Sequence, residues 1–432
     1  MNKYPSAVFE SRLLGERYER VSHPSGLDIY VFPKKMSATY ALFGTKYGSV
    51  NNSFVPAGAE APVTVPDGIA HFLEHKLFFN EDGSDSFERF SDYGADANAY
   101  TSFNKTAYLF SCTDNLEQSL GELIDFVTHP YFTPESVEAE IGIISEEIKM
   151  YDDSPGDRCF YGMLEGMYES HSIRRNICGS EESIRKISAD TLYDCYRTFY
   201  SLFNMALIVC GDVCTEEVLR IADAHLPHEC SCRQVERINE NDGEAPEAYK
   251  SRVEQKMQVS KPLFNIGFKD IDIPQDPTKR QKKDAVMSIL DEMLFSRAGE
   301  LYSSLFERKL ISPAMSYGYT ISESFAYNSL AGEADDPERI LEEVMEFVAK
   351  TRENGLSKED FLRAKKVMYA ESVKSFDSVE NIANNLFSFI CEDAELLEYT
   401  DILGNVSFHD VKQAFKDAFR PETVTLSTVL PL

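Results

Sequence analysis

Apolar positions along this chain follow two periods, one typical of strands and one typical of amphipathic helices. Short apolar or alternating runs bounded by turn residues predict strands. In the first half these runs are LDIYVF near residues 28–32, YALFGTKYGSV at 40–50, TAYLFSC at 106–112 and MALIVCGDV at 205–213; in the second half they are LFNIGFKD, MSYGYTI, YNSLAGEA and TVTLSTVL. Strongly helical segments separate the strands in both halves. The pattern therefore predicts an α+β fold.

One polar stretch divides the chain into near-equal parts. The sequence HECSCRQVERINENDGEAPEA, at residues 228–248, is rich in Asn, Asp and Glu and lacks periodicity, which is typical of an interdomain linker. A chain of 432 residues also suits two domains of roughly 200 residues each. We predict a first domain at residues 1–227, a linker at 228–250 and a second domain at 251–432.

The two halves share a short helical pattern. The segment AVMSILDEMLFS of the second half aligns with GIAHFLEHKLFF of the first, so that Ser288 stands where His71 does and Glu292 where His75 does. The strands and helices follow a similar order in both halves. We therefore predict two homologous domains, each a mostly antiparallel sheet packed against several helices, of which the second has lost a site that the first keeps.

The first of these helical segments carries two histidines and a glutamate on one face. His71, Glu74 and His75 are separated by about one helical turn, the spacing with which two imidazoles of one helix bind zinc. The flanking residues are apolar, and a buried helix would hold these polar groups at a cost unless they share a partner. The alternative is an ordinary helix whose histidines are satisfied by local hydrogen bonds. We predict a zinc site.

A catalytic zinc ion needs a third protein ligand. In the helical segment ESVEAEIGIISEEIKMYDD, Glu140 and Glu147 are seven residues apart and project from the same face. One of them can ligate the metal while the other orients a histidine. Glu146 is the competing ligand, because an acidic helix of this kind often presents several carboxylates to water.

These motifs together resemble the pitrilysin/insulinase superfamily of zinc peptidases, in the half-size branch that contains mitochondrial processing peptidase and its bacterial homologues. The family pattern is HxxEH followed some seventy residues later by Glu-x6-Glu, whose second glutamate is the third ligand. The resemblance implies that His71, His75 and Glu147 hold the metal. It also implies that Glu74 is the general base and that Glu140 supports the site from behind the ligands.

A second segment extends the resemblance to substrate binding. GADANAYTSFNKTAYLF, at residues 94–110, resembles the family's substrate-binding edge strand, and FNMALIVCGDV, at 203–213, resembles a later strand of the same domain. An extended peptide would pair with the backbone of the edge strand, which tolerates varied sequences. The alternative is an ordinary exposed strand. The predicted substrate-binding residues are Asn98, Ala99, Tyr100, Thr101 and Ser102.

The second half departs from the family pattern at one place. Family members carry an arginine and a tyrosine seven residues apart, which stabilise the tetrahedral intermediate. In LYSSLFERKLISPAMSYGY, Phe306 occupies the arginine position and Pro313 the tyrosine position, and neither side chain can donate a hydrogen bond to an oxyanion. Arg308 with Tyr317 or Tyr319 could replace the pair if a small insertion shifts the loop.

The resemblance predicts a zinc metalloendopeptidase that hydrolyses extended peptides and holds one Zn²⁺ per chain. Three hypotheses for its working state remain. The chain acts with a homologous subunit that supplies the arginine and tyrosine, or it suffices alone or as a homodimer, or it is a catalytically poor zinc- or peptide-binding subunit of a larger complex. The intact HxxEH favours the enzymatic hypotheses, because a scaffold has no need of Glu74. We predict the heterodimer.

The net charge and the cysteine content limit which partners and which cellular compartment we expect. The formal net charge of −29 and a pI near 4.7 disfavour nucleic acid and anionic membrane surfaces as partners. The N-terminus lacks the apolar core of a secretory signal, and no apolar run is long enough to span a bilayer. Nine cysteines without framework spacing indicate reduced thiols. We expect a cytoplasmic protein.

A second cluster of possible metal ligands lies near the end of the first domain. His225, His228, Cys230 and Cys232 could in principle form a structural zinc site. The cluster lies where a helix runs into the linker and has no companion CxxC motif. We interpret these side chains as incidental loop residues.

Overall fold

The computed structural model describes residues 3–229, 235–237 and 243–432. Its strands, in chain order, are β1 (Ser6–Ser11), β2 (Glu16–Ser22), β3 (Asp28–Pro33), β4 (Thr39–Thr45), β5 (Ser53–Val55), β6 (Val63–Thr64), β7 (Asp96–Thr101), β8 (Thr106–Cys112), β9 (Met205–Gly211), β10 (Glu236–Arg237), β11 (Arg252–Met257), β12 (Leu263–Asp270), β13 (Ser316–Ile321), β14 (Ala326–Glu333) and β15 (Val424–Pro431).

The α-helices alternate with these strands. In chain order they are α1 (Ile69–Leu77), α2 (Ser86–Tyr93), α3 (Leu116–Thr128), α4 (Pro134–Asp152), α5 (Pro155–Met167), α6 (Glu181–Ile184), α7 (Ala189–Phe199), α8 (Thr215–His225), α9 (Pro277–Phe295), α10 (Glu300–Glu307), α11 (Pro337–Asn354), α12 (Lys358–Lys374), α13 (Val379–Cys391), α14 (Leu396–Asn405) and α15 (Phe408–Asp417).

The chain forms two compact units, and each unit contains segments from both halves of the sequence. Unit 1 comprises Met1–Ile148, Asn176–Ile238 and Ser375–Leu397. Unit 2 comprises Lys149–Arg175, Asn239–Lys374 and Glu398–Leu432.

The main sheet of unit 1 has seven strands in the order β1-β2-β3-β9-β4-β8-β7. All neighbouring strands are antiparallel except β3 and β9, which are parallel. Strand β7 is therefore the terminal strand at one edge of this sheet. A smaller sheet of the same unit has the order β10-β5-β6.

The sheet of unit 2 repeats this arrangement with five strands in the order β11-β15-β12-β14-β13. The pair β11 and β15 is parallel and the other pairs are antiparallel, as for β3, β9, β4, β8 and β7 of unit 1. The helices α9 to α12 follow the same order around β13 and β14 as α1 to α4 around β7 and β8. The prediction of two homologous α+β domains with mostly antiparallel sheets is confirmed.

One face of the main sheet in unit 1 is covered by a helix from the second half of the chain. Strand β4 presents Leu42 to a buried cluster that includes Leu386 and Phe387 of α13. A Cβ at Gly44 would lie 2.2 Å from the Phe387 ring, so the close approach of helix and sheet requires glycine there.

The sheet of unit 2 receives a helix from the first half of the chain. Helix α5 packs on β11, β12 and β15, and its Gly162 and Gly166 allow Ser427 and Thr425 of β15 to approach closely. The compact units therefore follow other boundaries than the sequence domains at 1–227 and 251–432, because a helix from each half covers the sheet of the other. Those sequence boundaries stay a prediction.

Much of the predicted linker at 228–250 lies outside the described residues, namely 230–234 and 238–242. Within its described part, β10 pairs with β5, and Glu244 accepts hydrogen bonds from the backbone of Ser170 and His171. Among the described residues, no helix is both long and apolar enough to span a lipid bilayer.

Candidate metal centre

The residue before helix α1 is a glycine that no other residue could replace without strain. Gly68 has φ of +90°, and a Cβ there would lie 2.4 Å from the carbonyl oxygen of Cys178. The helix that follows buries Ile69, Phe72 and Leu73 in the core. This apolar face fixes the rotation of α1 and turns His71, Glu74 and His75 together toward α4 and β7.

Both histidines of α1 face one carboxylate of α4. His71 Nε2 lies 3.5 Å from Glu147 Oε1, and His75 Nε2 lies 3.3 Å from Glu147 Oε2. One donor atom from each of the three residues fits within a 4.8 Å span. Glu146, the competing ligand, is exposed. The structure brings together His71, His75 and Glu147, and Glu146 is not part of this group.

The electrostatics of the group favour a cation. Burial lowers the pKa of His75, but hydrogen bonds to Glu140 and Glu147 outweigh it and raise the pKa to about 10. Hydrogen bonds from His71 and His75 hold the pKa of Glu147 far below its usual range. Two imidazoles and one ionised carboxylate on two helices are a donor set that fits catalytic zinc, which keeps a further coordination position open.

Glu140 lies behind the histidines rather than among the donor atoms. Its Oε1 lies 3.2 Å from His75 Nδ1, and its Oε2 lies 3.4 Å from Lys76 Nζ. Burial raises the pKa of Glu140, but the hydrogen bond from His75 and the charge of Lys76 lower it overall. A carboxylate in this place fixes the ring orientation of His75 and leaves Nε2 available to a metal.

Glu74 is buried beside the two histidines, with 8% of its surface exposed. The hydroxyl of Thr101 donates a hydrogen bond of 2.6 Å to Glu74 Oε2. Burial is the main reason that the pKa of Glu74 is raised, and the nearby histidines and Thr101 act against it. A carboxylate with a raised pKa is closer to the range in which a general base works near neutral pH.

The predicted substrate-binding residues fall on the terminal strand β7 and just beyond it. Asn98 and Ala99 line a cavity of about 580 Å³ together with Glu74 and His75. Thr101 points to Glu74, whereas the side chain of its neighbour Tyr100 points to the other face, where its hydroxyl donates to Asn384 Oδ1. This alternation is that of an extended strand. The strand therefore has one face toward the candidate metal centre.

Ser102 differs from the other predicted substrate-binding residues. It lies after the last residue of β7. Its backbone N–H donates to the carbonyl of Lys105, and its carbonyl accepts from the N–H of Ser49. Because both backbone groups are used within the chain, Ser102 lacks the exposed backbone that a strand-pairing role needs.

In unit 2, the side chains considered as replacements for the missing arginine and tyrosine are already hydrogen-bonded. Phe306 is 46% exposed on α10 and has no polar group to donate. Arg308, Tyr317 and Tyr319 each donate to an acidic side chain: Glu343, Glu292 and Asp270 respectively. The geometry of unit 2 gives no support to a replacement pair.

The two described members of the second possible cluster of metal ligands, His225 and His228, have different neighbours. His225 Nδ1 lies 2.8 Å from Asp125 Oδ1. His228 instead lies near His23 and Asp223. Cys230 and Cys232 lie outside the described residues. The two described histidines therefore belong to different groups.

Sequence reasoning missed one charged residue of the centre. Lys76 is buried, although it lies among the apolar residues that flank the two histidines. Those flanking residues indicate only that the helix faces the core. A charged residue in such a run signals a buried ion pair, because an isolated ammonium group is costly to bury. The partner could not be named from sequence, since Glu140 is 64 residues away along the chain.

Comparisons with known proteins agree with the geometry. The family described as "Insulinase (Peptidase family M16)" matches residues 54–181, which include α1 and α4. The family described as "Peptidase M16 inactive domain" matches residues 186–368.

Similar proteins carry related descriptions. The "Uncharacterized zinc protease YmfH" of Bacillus subtilis (strain 168) is 38% identical over 415 residues, which cover 96% of this chain and 96% of the relative. "Mitochondrial-processing peptidase subunit beta" of Rattus norvegicus is 27% identical over 176 residues, 40% of this chain and 36% of the relative. A crystal structure of a putative M16-like peptidase from Alicyclobacillus acidocaldarius superposes with a TM-score of 0.92 at 31% identity, covering 98% of this chain and 100% of the other. This chain belongs to peptidase family M16, the insulinase family.

Proposed function

We propose that this chain is a zinc-dependent peptidase that hydrolyses bonds in extended peptides. His71, His75 and Glu147 hold one Zn²⁺ per chain, and Glu74 is the general base. The observation that carries the proposal is the convergence of three donor atoms within 4.8 Å, beside a buried glutamate and a terminal strand. Relatives described as zinc proteases support the choice of metal.

Each residue of the centre has a role in hydrolysis. When bound, Zn²⁺ supplies Lewis acidity to the scissile carbonyl and lowers the pKa of a water molecule. Glu74 takes the proton of the attacking water and passes it to the departing amine. Thr101 holds Glu74 in place through the 2.6 Å hydrogen bond. Glu140 holds the ring of His75.

The substrate adds to the sheet of unit 1 as a further strand. Residues 98–101 belong to the terminal strand β7, whose outer edge can pair with an extended backbone. Asn98 and Ala99 border the cavity of about 580 Å³ that also contains Glu74, so a substrate side chain can enter it. Unfolded or short peptides are therefore the substrates.

A second subunit completes the centre. Phe306 and Pro313 stand where the family's two donors are expected, and Arg308 is engaged with Glu343. One relative is described as the beta subunit of a processing peptidase, which supports a working state of more than one chain. The partner is a homologous chain that carries the arginine and tyrosine, although a homodimer is the alternative arrangement.

Metal analysis and cleavage assays test the peptidase proposal. The purified chain should contain about one zinc per chain, and chelation should remove both the zinc and the cleavage of an unfolded polypeptide. Added Zn²⁺ should restore cleavage. A zinc-free preparation that cleaves at the full rate, or a stable folded protein cleaved as fast as its unfolded form, contradicts the proposal.

The partner is tested by comparing the chain alone with the chain mixed with a co-encoded homologue. Loss of an oxyanion donor costs about two to three orders of magnitude in rate, so the isolated chain should be correspondingly weak. Mutation of the homologue's arginine should abolish the gain. Full activity of the single chain would refute the heterodimer.

A further inference from the structure

Lys76 is a buried cation next to the proposed zinc ligands. It follows His75 directly on α1, and only 3% of its side chain is exposed. Its ammonium group lies 3.4 Å from Glu140 Oε2 and 4.9 Å from the centroid of the Phe79 ring. Burial of an ammonium group is favourable only when it is paired. Glu140 supplies that pairing.

Glu140 is shared between Lys76 and the metal centre. One carboxylate oxygen binds the lysine, and the other lies 3.2 Å from His75 Nδ1. His71 has no such support, because its Nδ1 is buried without a hydrogen-bond partner among the described residues. The hydrogen-bond route from Lys76 to the centre therefore runs through Glu140 and His75.

Lys76 changes the net charge of the proposed metal centre. With neutral histidines, Glu147 and Glu140 already balance the two positive charges of Zn²⁺ before Glu74 is counted. Lys76 offsets one of these carboxylates and leaves the group more positive by one unit. A more positive centre binds a cation less tightly, but it stabilises the developing oxyanion of hydrolysis better.

We propose that Lys76 is a positioning residue that compensates the charge of Glu140, so that Glu140 orients His75 without weakening the positive potential at the metal. The inference rests on the proposed function and adds an electrostatic role that the three ligands and the general base do not include. Replacement of Lys76 should therefore raise the zinc affinity and lower the turnover, whereas replacement of a merely structural residue would lower both.

The substitution Lys76→Met tests this split. The uncompensated carboxylate of Glu140 should attract the dication, so zinc should bind more tightly, with a dissociation constant about tenfold lower. The rate constant kcat should fall by about tenfold as well, because less positive potential remains for the oxyanion. Zinc affinity is measured by competition with a chromophoric chelator, and kcat with an unfolded peptide in the presence of any required partner.

The double variant Lys76→Met/Glu140→Gln restores the charge balance. The amide oxygen of glutamine can still accept from His75 Nδ1, and removal of both members of a buried ion pair is generally tolerated by the fold. Zinc affinity and kcat should therefore return to within about threefold of the wild type, a residual that reflects the weaker acceptor. Lys186→Met, which removes an exposed lysine paired with Glu182, is the matched control and should change neither quantity.

The outcomes separate this inference from the proposed function. A wild-type chain that binds no zinc overturns both. A wild type that binds zinc and cleaves peptides, together with a Lys76→Met variant that binds zinc more weakly, overturns the inference alone. So does a folded double variant that fails to recover kcat, with folding checked by its melting temperature.

Discussion

The sheets of the two units carry equivalent helices that face opposite charges. In unit 1, α1 presents two histidines to the carboxylates Glu140 and Glu147 of α4. In unit 2, the final turns of α9 present the carboxylate of Glu292 to Arg363 of α12. Helix α9 follows β12, as α1 follows β4 after the short strands β5 and β6 of the smaller sheet, and α12 takes the place of α4. The same scaffold therefore holds two glutamates opposite histidines in one unit and an arginine opposite a glutamate in the other.

The two acidic side chains in the last turns of α9 have hydrogen-bond partners within unit 2. Glu292 accepts hydrogen bonds of 2.8 Å from Arg363 and 2.6 Å from the Tyr317 hydroxyl. Asp291 accepts from the amide group of Asn328 at 2.8 and 2.9 Å. In the alignment of the two helices, Glu292 stands at the position of His75.

The two units differ in the positive charge that can balance these carboxylates. In unit 2 the positive charge is a side chain, so the carboxylate of Glu292 is balanced without any bound ion. In unit 1 the carboxylate of Glu147 lies beside the imidazoles of His71 and His75, and a cation from solution can complete the group. Four predictions test this contrast, first through the loss of catalysis and of metal binding and then through changes in stability.

Substitution of the proposed general base Glu74 should show the functional difference between the two units most clearly. Glu74→Gln should retain zinc and fold but lose peptide cleavage by several orders of magnitude, because no group remains to take the proton of the attacking water. The equivalent change in unit 2, Asp291→Asn, should leave the cleavage rate unchanged. Steady-state assays with equal zinc loading measure both variants, and equal losses would remove the catalytic distinction between the units.

Zinc affinity should depend on the carboxylates of α4 in a graded way. Glu147→Gln should weaken binding by about 100-fold or more because it removes a ligand, and Glu140→Gln should weaken it by about tenfold because it leaves the charge of Lys76 uncompensated and gives His75 a weaker acceptor. Glu146→Gln, an exposed neighbour, is the control and should have no effect. Competition with a chelator gives the dissociation constants. Full zinc occupancy in Glu147→Gln would contradict the ligand assignment.

Loss of the cation in unit 2 should affect stability instead of metal binding. Arg363→Met leaves the carboxylate of Glu292, whose side chain is 9% exposed, without its ion pair. The free energy of unfolding should fall by about 2–3 kcal/mol, less than for a fully buried pair because Arg363 is partly exposed. Urea denaturation followed by circular dichroism measures the change. The double variant Arg363→Met/Glu292→Leu should recover most of it, and zinc content should not change in either variant.

Asp291 should make the stability of unit 2 depend on pH. Burial raises the pKa of Asp291 to about 8, with the charge of Asp284 adding to the effect and Asn328 opposing it. Because the folded form holds its proton after the unfolded form has lost it, the stabilising contribution is full below about pH 4. It is lost as pH rises through about 8.

The substitution Asp291→Asn removes this titration. The free energy of unfolding of the variant should therefore rise relative to that of the wild type as pH rises from about 4 to about 8. The difference should grow by up to about 1 kcal/mol per pH unit. Urea unfolding at several pH values gives the difference. A constant difference over this range would show that Asp291 titrates normally.

The sequence predicted the architecture and the approximate makeup of the centre because both depend on local periodicity. The strand and helix order was confirmed, as was the relation between the two halves that the alignment of α1 with α9 suggested. Glu140 and Glu147 were expected on one face from their seven-residue spacing, and the structure places both beside the histidines of α1.

What the sequence could not show depends on contacts between distant residues. An apolar face predicts burial but does not name the sheet that covers it, so the exchange of α5 and α13 between the two halves of the sequence was not foreseen. The pairing of Lys76 with Glu140 is equally non-local. Ser102 was grouped with the edge strand because strand ends are set by turn contacts, here with Lys105, that the apolar pattern does not encode.

The exchange of α5 and α13 has a consequence for engineering the chain. A fragment ending near residue 229 would contain α5 but not the sheet that α5 covers, and its own main sheet would lack α13. The complementary fragment would have the reciprocal defect. Neither half is thus a self-sufficient module for truncation or fusion. A chain cut between residues 230 and 242 supplies two fragments that need each other to bury their sheets, as in a split reporter.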